Sequence, residues 1–320
     1  MPRKTVDVLL FALLAAFWGG SFVAIKFAVE VFPPTFGAML RVGLALAVLA
    51  ALFRYEKRNL GVSFATRRKM WLAGLFSQGL PFALLFWGEK RVSPGLAGII
   101  NGTVPIWAFI FGLIAGGEAF TARKTAGLLL GFGGIAIICS PLLAFAGTRG
   151  EIAGAGAVFL MAICYGVGAL LTRSLLSGAA KVDFRANAYH QNCASAAFLA
   201  VVSVFARPWP SAHAVFASPA AVISIVYLGV FSTALAFLIY FHLIREWGAV
   251  RASAVTYVVP IVALFWDYVF FRNVPDRFEI VGVLAILSGV VLLHAPAPKT
   301  GSFAPGGRAF GPSSSARPGL

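Results

Sequence analysis

The chain has 320 residues, 60% of them hydrophobic and only 12% charged, with a mean hydropathy of +0.88. A soluble domain carries about 25% charged residues, so this composition excludes a soluble enzyme or binding module and leaves a polytopic membrane protein. The net charge of +15 would suggest nucleic acid in a soluble chain, but here it reads as orientation signals between spans, and no nucleic-acid partner is expected.

Ten apolar stretches follow one another, with limits near 8–29, 34–53, 71–88, 94–116, 122–144, 153–176, 184–206, 218–244, 249–271 and 276–295. Their lengths suit helices that rise ~1.5 Å per residue across a ~30 Å hydrocarbon core. The first is longer than a signal-peptide core and other spans follow it, so an uncleaved first helix is expected. Span four, Pro94 to Gly116, has Pro105 at its midpoint. A proline there cannot donate to the carbonyl of Asn101, which predicts a bent helix with an open carbonyl. Span nine repeats this arrangement with Pro260 and the carbonyl of Thr256. Residues 296–320 are rich in Pro, Gly, Ser and Ala and are expected to form a disordered cytoplasmic tail. Cys139, Cys164 and Cys193 lie in apolar runs without a C-x-x-C pair, so they read as small core residues rather than disulfides or metal ligands.

Basic residues test this layout. With the N-terminus in the cytoplasm, only Lys90, Arg91, Arg149, Arg207, Arg272 and Arg277 fall outside, and Lys26 and Arg41 lie within spans. The other 18 of the 26 Lys and Arg are inside. That asymmetry supports ten spans with both termini cytoplasmic.

The chain also repeats. Residues 72–138 align without a gap on 227–293, at an offset of 155. Gly74 meets Gly229, Ser77 meets Ser232, Phe82 meets Phe237, Pro105 meets Pro260, Gly127 meets Gly282 and Gly134 meets Gly289. Span one matches span six at an offset of 147, pairing Trp18 with Tyr165, Gly19 with Gly166 and Lys26 with Arg173. The difference falls in the second and seventh spans. Two units of five spans, residues 1–148 and 149–295, would enter the membrane from opposite sides. The predicted fold class is therefore an all-α membrane protein of ten transmembrane helices in two inverted five-helix repeats.

Several motifs carry a family resemblance: FWGGSFVAIK around Trp18, PPTFGAMLR, SPGLAGIINGTVPIWAFIFGLIAGGE, and YLGVFSTALAFLIYFHLIREWGAVRASAVTYVVPIVALFWDYVFF. Over all but the tail, the chain resembles the EamA type of the drug/metabolite transporter superfamily. The resemblance implies a ten-helix secondary carrier of the bacterial inner membrane, many of whose relatives export amino acids and related metabolites. One departure stands out. The glycine-glutamate that usually closes the penultimate span is present as Gly117-Glu118, but its second-half counterpart is Asn273, preceded by Arg272.

Candidate site residues follow. Trp18 and Tyr165 sit at mid-span, where an aromatic N–H or O–H needs a partner, and cavity lining or burial between helices would provide it. The resemblance places spans one, three, four, six, eight and nine around a central cavity. That makes Gln78, Asn101, Thr256 and Tyr257 substrate contacts, with Phe82 and its repeat mate Phe237 on the walls. Pro105 and Pro260 are candidate hinges, with a kink for packing as the alternative. Lys26 and Arg41 are expected to face each other near Glu30 as an outer gate or as snorkelling cations. His190, in a polar patch of span seven, is a candidate for coupling or for a structural hydrogen bond. Asp267 is expected to pair with Arg272 or to take protons.

No H-E-x-x-H, P-loop or nucleophile elbow occurs, so no enzyme activity, metal or cofactor is expected. The reading is a secondary transporter that exports small polar metabolites, amino acids foremost, by alternating access. Its partners are the bilayer, a small-molecule substrate and, in one version, coupling protons. The alternatives are an importer or a carrier of drugs, sugar-phosphates or nucleotide-sugars.

Overall fold

The computed structural model describes residues 3–115, 121–144, 148–177, 182–205, 209–247, 252 and 255–294. The expected tail and Gly117-Glu118 lie outside the described residues. Every regular element among those residues is helical. Among the described residues six helices are long and apolar enough to cross a membrane: Thr5–Val31, Pro34–Tyr55, Phe64–Glu89, Pro94–Ile114, Arg149–Leu176 and Pro219–Leu243.

The long helical rods are labelled in chain order. They are α1 (Arg3–Val31), α2 (Pro34–Tyr55), α3 (Phe64–Glu89), α4 (Pro94–Ile114), α5 (Ala122–Ala144), α6 (Arg149–Ser177) and α7 (Phe184–Phe205). Then come α8, made of Pro219–Val226, Tyr227–Leu235 and Ala236–Trp247, and finally α9 (Val255–Phe271) and α10 (Arg277–His294). A short helix, Ala212–Phe216, precedes α8.

Local sequence sets the ends. Pro34, Pro94 and Pro219 open α2, α4 and α8, where the absent N–H would have had no intrahelical partner. Ser93 and Ser218 cap α4 and α8 by accepting from the N–H of Leu96 and Ala221. The C-terminus of α2 is a Schellman turn. Arg58 N–H donates to Phe53 O at 3.0 Å and Lys57 N–H to Arg54 O at 3.1 Å, with Lys57 at φ 51°.

Four rods depart from uniform α-helix or carry a proline at their centre. In α3 the segment Leu75–Gly79 is π-helical, and in α8 so is Tyr227–Leu235. Such wide turns concentrate at functional sites. At the 155-residue offset the first falls on residues 230–234, inside the second. In α4 the helix stops at Asn101 and restarts at Val104, as the proline at 105 predicts. In α9, by contrast, helix runs through Pro260 from Val255 to Phe271.

Packing pairs the rods in a recurring pattern. The first half of α4 packs on α9 and its second half on α6, while α1 packs on α9 and on the start of α8. The last part of α3, Leu80–Glu89, packs on α6 and its beginning on α7, while α2 packs on α7 and on the π-helical part of α8. α5 and α10 lie along each other. Glycine allows that last approach. A Cβ on Gly134 would stand 2.7 Å from the carbonyl oxygen of Gly282, and one on Gly282 would stand 2.8 Å from that of Gly134. Gly289 is equally tight against Gly127 O, at 2.5 Å. Lipid is as apolar as a leucine, so helix association in a bilayer depends on backbone approach and interhelical hydrogen bonds of this sort.

Candidate functional site

The aromatic centre of α1 packs on α8. Trp18 has its ring 5.1 Å from Tyr240 and 5.9 Å from Phe237 between centroids, and Phe237 in turn lies 5.7 Å from Phe241. Trp18 is half-buried, and its ring N–H makes no hydrogen bond among the described residues. Beside it, Tyr227 donates its O–H to the carbonyls of Phe17 at 3.1 Å and Ala16 at 3.3 Å. These bonds close one face of α1. Tyr165 is also half-buried, but its charged neighbours are Arg41 and Glu89. The two mid-span aromatics thus belong to different surroundings.

Arg41 is the centre of the second group. It is only 2% exposed. Its Nε donates to Thr233 Oγ1 at 2.8 Å, and Nη2 to Ser232 Oγ at 3.3 Å and O at 3.4 Å. Its guanidinium carbon stands 3.9 Å over the ring of Phe82. A buried cation is tolerated when hydrogen bonds and a π face replace its water. Tyr165, Glu89 and Tyr227 lie within electrostatic reach. Nη1 keeps no protein partner among the described residues. Gln78, in the π-helical part of α3, is completely buried, and neither amide atom is hydrogen-bonded among the described residues. At the 155-residue offset it aligns with Thr233, the residue that holds Arg41.

The polar patch of α7 is internally satisfied for the most part. Gln191 accepts from Ser77 Oγ at 2.6 Å and donates to Thr172 Oγ1 at 3.1 Å and Asn187 Oδ1 at 3.0 Å. Ser195 Oγ donates to Gly74 O at 2.9 Å and to Gln191 O at 2.8 Å. This network ties α7 to α3 and α6. His190 is apart from it, with Nε2 3.0 Å from Leu60 O and its ring beside Tyr189.

The charged residues expected as an outer gate do not face each other. Lys26 donates to the carbonyls of Glu89 at 2.8 Å and Val92 at 3.0 Å, clasping the end of α3, whereas Arg41 reaches α8. Asp267 does not take Arg272 as its partner. It accepts from Gly95 N–H at 2.8 Å and from Asn273 Nδ2 at 3.0 Å, so it caps α4 from α9. Arg272, at φ 58°, lies 5.8 Å from the Tyr268 ring. Asn273, the departure from the expected glutamate, therefore has a partner of its own.

At the two proline positions the rods touch, since Pro260 Cγ would lie 3.0 Å from a Cβ on Gly102. Thr103 Oγ1 donates to Ile100 O at 2.7 Å and so satisfies one carbonyl at the break. Asn101 is half-buried and its amide has no hydrogen bond among the described residues. Tyr257 O–H reaches Val290 O on α10 at 3.5 Å, and Thr256 is half-buried.

Two features were not read from the chain. Glu89 is completely buried, although the run Gly88-Glu89-Lys90-Arg91 looks like an exposed span end. At the opposite ends of α1 and α8, Asp7 accepts from His242 Nε2 at 3.1 Å and Trp247 Nε1 at 3.2 Å. The only sequence signal was an acidic residue inside the first turns of an apolar span.

Residues 6–140 and 152–295 match the EamA-like transporter family. The chain belongs to that family. As an EamA-like protein it is embedded in the membrane through several spans. An uncharacterized transporter of Archaeoglobus fulgidus is 25% identical over 285 residues, covering 89% of this chain and 97% of its own. Protein PagO of Salmonella typhimurium is 26% identical over 269 residues, 84% and 86% of the two chains. The uncharacterized transporter YvbV of Bacillus subtilis is 25% identical over 300 residues, 91% and 92%. A solved crystal structure superposes with a TM-score of 0.60 at 19% identity, covering 91% of this chain and 98% of that one, which bears on fold alone.

Proposed function

We propose that this EamA-like protein is a secondary transporter of the bacterial inner membrane. It has ten spans in two inverted five-helix repeats, 1–148 and 149–295, with both termini cytoplasmic. It exports small polar metabolites, amino acids foremost, by alternating access.

The observation that carries this reading is an exchange of contacts between the two halves. Replace each residue by its repeat mate, and Gly134 against Gly282 becomes Gly289 against Gly127, which is also present. Gly19 against Val262 becomes Gly166 against Trp107. Ser77 in one π-helical segment donates to Gln191 on α7, and its counterpart at the 155-residue offset, Ser232 in the other, accepts from Arg41 on α2. Two halves packed through a two-fold relation of this kind can rock about a site between them.

The site lies along α1, α3, α4, α6, α8 and α9. Trp18, Phe82, Tyr165 and Phe237 are its apolar walls, while Gln78, Asn101, Thr256 and Tyr257 meet polar groups of the substrate. A zwitterion leaving water must find such partners for its charges. Gln78 and Asn101 support this role, because each has an amide with no hydrogen bond among the described residues. Pro105 and Pro260 are the flexible points. Lys26, through the end of α3, and the Asp7–His242 contact at the other ends support gates on the two sides.

Counterflow in proteoliposomes with labelled amino acids, sugars and cations tests the proposal. Exchange of one or more amino acids is expected, with Trp18→Ala and Tyr165→Ala slowing it while the protein still elutes as a folded species. Exchange of another class only, or unchanged rates in both variants, would refute respectively the substrate class and the site.

A further inference from the structure

The ends of α1, α2, α3 and α9 bring Lys26, Arg41, Glu89 and Asp267 into one buried electrostatic group. Their hydrogen-bonding is unequal. Lys26 has two main-chain carbonyls, and Asp267 has the Gly95 N–H and the Asn273 amide. Glu89 is completely buried, and neither Oε1 nor Oε2 has a donor among the described residues. The groups facing it are Lys26 from α1, Arg41 from α2, Tyr165 from α6 and Asp267 from α9. None of them donates to it. An ionised carboxylate held this way loses its hydration without hydrogen bonds to replace it. The neutral acid avoids most of that loss.

We infer that Glu89 is a proton-binding site of this transporter, occupied in the present conformation and linked to Arg41. As the proton-coupling residue it rests on the transport reading above, but proton binding itself can be measured without any substrate. Release is a plain proton transfer: the Oε–H bond breaks, the electron pair stays on Glu89, and the proton passes to water. The carboxylate so formed needs a donor. Arg41 Nη1 is a buried donor within electrostatic reach that has no partner among the described residues. Arg41 also holds Ser232 and Thr233 in the π-helical part of α8. Drawing the guanidinium toward ionised Glu89 through Nη1 shifts its Nε and Nη2 bonds to Thr233 and Ser232, which ties the protonation state of α3 to the position of α8.

The test is pH-difference infrared spectroscopy of the full chain reconstituted in lipid bilayers, cycled between acidic and alkaline buffer. A protonated-carboxyl C=O band that titrates is expected in the wild type and in Asp267→Asn, and is expected to vanish in Glu89→Gln. Should Glu89→Gln fail to fold, Glu89→Asp decides, because the band must then move from its wild-type position. No such band in the wild type, its persistence in Glu89→Gln, its loss in Asp267→Asn or an unmoved band in Glu89→Asp overturns the inference. Failure of amino-acid counterflow would instead strike the transport reading and leave this result standing.

Discussion

Removing the Thr233 hydroxyl tests whether Arg41 is held as described. Both residues are buried. Thr233→Val deletes the acceptor that receives Arg41 Nε–H at 2.8 Å, together with the bond that Thr233 itself donates to Leu228 O at 2.7 Å. A hydrogen bond to a charged group contributes about 1.5–3 kcal/mol and a neutral one about 0.5–1.5 kcal/mol, so the variant should lose about 2–4.5 kcal/mol of stability. In an Arg41→Met background the charged bond is already absent. There the same change should cost about 0.5–1.5 kcal/mol, leaving a coupling of about 1.5–3 kcal/mol between the two sites. Reversible unfolding of the four proteins in mixed micelles, with increasing dodecyl sulfate and circular dichroism as readout, gives the cycle. Additivity within about 0.5 kcal/mol would mean that Arg41 and Thr233 do not share this bond.

Other substitutions probe the remaining contacts by the same unfolding assay. Gly134→Val should destabilise by about 1–3 kcal/mol through overpacking, since its Cβ would meet Gly282 O at 2.7 Å; a wild-type midpoint would refute the close approach of α5 and α10. Asp267→Ala should cost about 1–3 kcal/mol by orphaning the Gly95 N–H, while Asp267→Asn, which keeps a carbonyl acceptor, should cost less. Equal losses in the two would argue against the cap on α4. Gln191→Leu removes three side-chain bonds and should cost more than His190→Ala, which gives up the contact to Leu60 O. The reverse order would place the structural role of α7 on His190 instead.

Periodicity and composition made the rods legible because a bilayer admits few solutions. Any segment that crosses it must satisfy its own backbone and so becomes a helix of nearly fixed length. For the same reason Pro105 was readable as a break, since its missing N–H is a local property. Pro260 has the same local chemistry, yet the helix there is unbroken from Val255 to Phe271. The Asn101-Gly102-Thr103 turn, with Thr103 Oγ1 on Ile100 O, gives α4 an alternative to helix.

The site divides in the same way. Trp18, Tyr165 and Gln78 could be picked out because an aromatic at mid-span, or an amide buried in lipid, is costly wherever its partners lie. Partners themselves are not a property of local sequence. Lys26 and Arg41 look equivalent in the chain, but one clasps carbonyls at the end of α3 and the other crosses to Thr233, 192 residues away. Glu89 was missed because its charge sits among Lys90 and Arg91, and only α1, α2 and α6 packing around it remove it from water.

By itself, then, the amino-acid order determined where the helical rods lie and where one of them breaks, because each of these follows from backbone chemistry or spacing within one segment. Tertiary packing decided which cations find acceptors, that Asp267 caps α4, and that the Glu89 carboxyl has no donor among the described residues. Those outcomes depend on which helix ends meet, and no single segment carries that information.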